Sequence, residues 1–100
     1  MPEADWKKFK KVRLKALERL SQRILDESRN ICADKSLTAH ERYGKLYDLI
    51  QERDKEMARA FDDFRRSTAV ICLNIMVFYD LLTDQELAEF SPMVQNIVNI

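Results

Sequence analysis

The chain has one glycine, two prolines and two cysteines in 100 residues, and its seventeen Lys and Arg are balanced by seventeen Asp and Glu. Each scarcity excludes something. An all-β domain needs many tight turns, which one glycine and two prolines cannot supply. Phosphate-cradling loops of the P-loop or Rossmann kind need several glycines in a short span. A disulfide scaffold needs more cysteines. A generic nucleic-acid binder carries a net positive charge. No apolar run reaches the roughly 18–20 residues of a membrane span. The nearest, Ala69–Tyr79, has eleven residues with Asn74 among them.

The composition is 46% apolar and 34% charged. It points to one small, folded, all-helical domain over 1–100. The basic stretch from Lys7 to Lys15 is followed by no apolar segment of the signal-peptide kind. Cys32 and Cys72 lie far apart without metal-type spacing and read as reduced thiols. A cytoplasmic protein is the expectation.

Periodicity places the helices. Asp5 is the expected N-cap of a first helix over about 5–32, with Trp6, Phe9, Val12, Leu17, Leu20, Ile24 and Ile31 recurring at helical spacing. Thr38–Glu41 forms a capping box. From it runs a series at sevenfold spacing: Tyr43, Ile50, Met57, Phe64, Ile71 and Phe78. The constant phase predicts one helix over about 39–82, roughly 65 Å long at 1.5 Å per residue. Thr83–Glu86 is a second capping box, opening a helix over about 84–90. Ser91-Pro92 starts a last one over about 92–99.

Laid antiparallel, the first helix brings Asp5 near residue 66 of the second. The stretch 68–82 lies beyond that point and is apolar all round, so it must be covered on several sides. The expected architecture is therefore a long antiparallel hairpin with one or two short C-terminal helices, its bundle completed by a second copy through Ile71, Ile75, Phe78, Tyr79 and Leu82. The alternative is a break near residues 65–68, capped by Ser67 or Thr68, giving a monomeric four-helix bundle.

Catalytic, cofactor and metal sites are not expected. His40, the only histidine, has no Glu-x-x-His partner set and reads as an exposed first-turn residue. Cys72 sits in the most apolar stretch and reads as inert core. Cys32 reads as a surface thiol whose only candidate base is His40. The carboxylates of the long helix, Asp62 and Asp63 included, mostly have basic residues three or four positions away, as on a solvated helix face.

The strongest functional lead is the start of the chain, where Trp6 and Phe9 accompany six basic residues between Lys7 and Lys15. Its cations oppose the helix dipole. Residues 1–31 hold nine basic and five acidic residues, net +4, whereas 67–100 hold four acidic and none basic, net −4. The two ends are expected to attract each other. The expected function is a non-enzymatic helical interaction or regulatory module. It self-associates through an apolar helix face, with Lys7, Lys8, Lys10, Lys11 and Arg13 meeting an acidic protein partner. Asp62, Asp63, Arg65 and Arg66 are a possible second contact. The alternative is peripheral binding of nucleic acid or an anionic membrane through the basic start.

Overall fold

In the computed structural model, which describes residues 1–98, the chain is all-helical. The helices are α1 (Glu3–Ala33), α2 (Ala39–Phe61), α3 (Ala69–Phe78), α4 (Asp84–Ala88) and α5 (Pro92–Val98), with a 3-10 turn at Arg66–Thr68. The expected last residue of α5, residue 99, lies outside the described residues.

α1 buries Asp5, Phe9, Val12, Ala16 and Leu20, one face at three- and four-residue spacing. It begins two residues earlier than expected. Pro2 occupies the cap position without a side-chain bond, so Asp5 is not the N-cap. The helix reverses through a turn in which the Asp34 carboxylate accepts from the Ser36 N–H (3.0 Å) and hydroxyl (2.6 Å). The Thr38–Glu41 capping box then opens α2: the Glu41 N–H donates to Thr38 Oγ1 (3.1 Å), and the Thr38 N–H to Glu41 Oε1 (2.9 Å).

The predicted helix over 39–82 is broken. α2 ends at Phe61, without glycine or proline. Asp63 builds the turn: its carboxylate holds Arg65 (2.6 and 2.9 Å), and its carbonyl accepts from the Thr68 hydroxyl (3.1 Å). Thr68 therefore donates within the turn rather than capping α3. The physical reason lies in the length of α1. At its start Arg66 already bonds the Met1 carbonyl (2.8 Å) and Glu3 (2.6 Å). A straight continuation would carry Leu73 and Met76 into water. Folding back buries both completely, together with Ala69 and Cys72. The sevenfold series is not the packing seam, since Tyr43, Ile50, Phe64, Ile71 and Phe78 are all exposed.

The core holds Phe9, Val12, Ala16 and Leu20 of α1, Ala60 and Phe61 of α2, the inner face of α3, Leu81, Phe90, and Val94 and Val98 of α5. All of it lies toward one end. Between Leu20 and Ala60 no residue is fully buried. The outer half of the α1–α2 hairpin is thus a two-helix arm projecting from a packed base. The molecule measures 52 × 24 × 22 Å, and its radius of gyration is 16.4 Å, against about 13 Å for a compact domain of this length.

Candidate interaction surface

With its only glycine inside α2, the chain cannot end helices on glycine. Side chains from elsewhere satisfy the terminal carbonyls instead. Arg42 donates to the Cys32 carbonyl at the end of α1 (2.7 Å), and Arg13 to that of Phe61 at the end of α2 (2.9 Å). Beyond α3, Arg23 donates to the carbonyls of Tyr79 (2.7 Å) and Asp80, and Arg19 to that of Leu81 (2.8 Å). Lys8 reaches the Glu89 carbonyl after α4. Each cation stands where the helix dipole is negative, so it both satisfies an orphan acceptor and lowers the electrostatic energy.

Arg19 also grips the Glu86 carboxylate with two bonds (2.6 and 3.0 Å), while Glu86 closes the capping box of α4 by accepting from the Thr83 N–H (2.9 Å). The Arg19 bonds hold the Glu86 carboxyl down at about 2, well below its ordinary value. Lys15 lies 3.9 Å from the same carboxylate. The basic start and the acidic end therefore meet within one chain.

The basic stretch consequently divides. Lys8, Arg13 and Lys15 turn toward the fold; Arg13 stacks over the ring of Phe64 (4.2 Å) as well as bonding Phe61. Lys7, Lys10 and Lys11 are exposed, with Lys10 over the Trp6 ring (5.6 Å). The second expected cluster is the reversal after α2. Asp63 pairs with Arg65 and Arg66 with Glu3, while Asp62, exposed, ends α2.

The residues weighed for chemistry lie apart. His40 is exposed and faces the Tyr43 ring. Cys32 is exposed in a groove of about 280 Å³ shared with Ala39, Arg42, Tyr43 and Leu46, and neither a carboxylate nor His40 lines it. Burial pushes the Cys72 thiol up, away from the reactive thiolate. Among the described residues no cluster of His, Cys, Asp and Glu is suited to hold a metal, and no helix is long and apolar enough to cross a membrane.

What the surface does offer is apolar area. On α3, Ile71 is 62% and Phe78 84% exposed; Ile75, Tyr79 and Leu82 are half-buried against the core. Ile71, Ile75 and Phe78 follow one another at the spacing of a single helix face. Beside them Arg59, Asn74, Ile75, Phe78 and Tyr79 line a groove of about 300 Å³. The hairpin carries a second set: Leu14, Leu25, Tyr43, Tyr47 and Ile50 are all exposed. Sequence reasoning placed Tyr43 and Ile50 in the sevenfold series and did not single out Leu14 or Leu25. Searches against protein-family models, curated proteins and solved structures return no match to this chain.

Proposed function

We propose that the protein is a non-enzymatic helical interaction module whose first partner is a second copy of itself, docked across the outer face of α3. The observation that carries this reading is Phe78, 84% exposed at the rim of the groove lined by Asn74, Ile75 and Tyr79. A symmetric pairing sets like residues opposite like. α3 suits this because none of its ten residues is charged, and Arg59 of α2 is the one charged residue that lines the groove. Phe78 of each copy enters the groove of the other.

Light scattering behind a sizing column, over a dilution series, tests this. The expected mass at high concentration is twice 11.9 kDa, and Phe78→Glu is expected to stay monomeric with an unchanged helical spectrum. A monomer at every concentration, or a dimer indifferent to Phe78→Glu, would refute the reading.

A further inference from the structure

The hairpin has two sides, and only one is covered. The covered side of α1 carries Phe9, Val12 and Ala16. Leu14 lies two residues from both Val12 and Ala16, on the opposite side of the helix, and is 63% exposed. Lys7, Lys10 and Lys11 precede it by seven, four and three residues, so they share its face. Leu25 follows three turns later, and Cys32 two turns after that. On α2, Tyr43, Tyr47 and Ile50 form one stripe. Cys32 and Tyr43 line a common groove, so the two stripes lie on the same side of the hairpin.

This open side is a continuous two-helix layer. From Leu14 to Cys32 it runs about 27 Å along the helix axis. Its cations are Lys7, Lys10, Lys11 and Arg29, and its carboxylates are Glu18, Asp54 and Glu3, the last paired with Arg66. Among the described residues Lys7, Lys10 and Lys11 form no ion pair, and Arg29 has only the exposed Asp26 at 3.6 Å. The acidic end of the chain is held on the other side, where Lys8, Arg19 and Arg23 reach across to α4 and the end of α3. Asp80, Asp84 and Glu89 therefore face away from the open layer. The chain is neutral in sum and polarised in space.

We infer that the open side of the α1–α2 hairpin docks on an anionic lipid surface, with Lys7, Lys10 and Lys11 against the headgroups and Leu14, Leu25, Tyr43, Tyr47 and Ile50 entering the interface. Charge complementarity selects the sign of the occupant. The layout of the apolar side chains selects a lipid surface over a protein. Protein hot spots gather in one central desolvated pocket. Here five large side chains are spread along an extended layer, and two are tyrosines, whose amphipathic rings suit the headgroup level. Phosphate alone, as in nucleic acid, would leave these five without a role. The inference is independent of the α3 face, which belongs to another part of the surface.

Co-sedimentation with vesicles tests it, using phosphatidylcholine alone and phosphatidylcholine with about a third phosphatidylglycerol. Binding is expected only to the anionic vesicles and is expected to weaken as salt rises. A fluorophore on Cys32, the exposed thiol, is expected to shift to shorter wavelength on binding, since Cys32 lies on this side while Cys72 is buried. The double variant Lys7→Glu/Lys11→Glu is expected to lose at least about tenfold in partitioning. Leu25→Ser/Tyr47→Ser is expected to abolish the spectral shift. Lys45→Glu/Lys55→Glu makes the same change in net charge off this side and is expected to bind as the parent does. Circular dichroism confirms that each variant is folded. Equal binding to both vesicle types, no binding to either, or an equal loss in the Lys45/Lys55 variant would overturn the inference.

Discussion

Asp5 holds Ser91 across a separation of 86 residues: its Oδ1 accepts from the Ser91 backbone N–H at 2.8 Å and its Oδ2 from the Ser91 hydroxyl at 2.7 Å. The carboxylate is 2% exposed. It lies in the first turn of α1 and at the entry to α5, so two helix N-termini supply the positive potential that a buried anion needs. The bond docks the last helix onto the first.

Asp5→Ala is expected to destabilise the fold by about 2–3 kcal/mol, because it strands the half-buried N–H and hydroxyl of Ser91 and opens a gap where the buried carboxylate stood. Urea denaturation gives the value. A double-mutant cycle with Ser91→Ala is expected to show strong coupling. Additive effects would mean that the two residues act separately.

Stability is expected to fall in acid through Glu86. Its carboxyl is held from 4.5 down to about 2 by the Arg19 bonds and the Thr83 N–H. A lowered folded-state value means that the stabilisation is complete above about pH 4.5 and disappears as the pH falls toward 2. Its size is on the order of 2 kcal/mol. In Glu86→Gln the difference in stability between pH 7 and pH 3 is expected to shrink by that amount. An unchanged difference would assign the acid sensitivity to other carboxylates.

Asp80 is expected to be a site where glycine stabilises. α3 ends in a Schellman motif: the Leu81 N–H bonds the Met76 carbonyl (3.0 Å) and the Asp80 N–H that of Val77 (2.9 Å). Asp80 takes the left-handed conformation this requires, with φ at 56°. Leu81 and Met76, the two positions that such a motif brings together, are both fully buried. Asp80→Gly is expected to raise stability by about 0.5–1 kcal/mol and Asp80→Val to lower it, as thermal melts would show.

Two neighbours in the basic stretch are expected to behave in opposite ways. Arg13→Ala loses the Phe61 carbonyl bond and the packing on Phe64, and is expected to cost about 1–2 kcal/mol. Lys7→Ala is expected to change stability by less than about 0.5 kcal/mol. Equal effects on chemical denaturation would contradict the division of this stretch between the fold and the open surface.

Local chemistry made much of this protein readable from its sequence. The scarcity of glycine and proline gave the helical class, and Thr38–Glu41 and Thr83–Glu86 placed two helix starts to the residue. These are short-range effects: a hydroxyl and a carboxylate three residues apart cap a helix wherever the chain lies. The charge segregation also indicated that the two ends of the chain attract. The break after Phe61 was legible only as the alternative near residues 65–68, because the sevenfold series continued through it and nothing local forbade a helix. What decided it was the burial gained when Leu73 and Met76 fold back onto α1. Nor could sequence tell Lys8 from Lys7. Adjacent positions differ by about 100° around a helix, and which of the two meets the end of α4 depends on where α4 packs. Propensity and capping belong to the sequence alone. The reversal, the Asp5–Ser91 latch and the division of cations between fold and surface belong to the tertiary structure, because each depends on residues brought together only when the chain has folded.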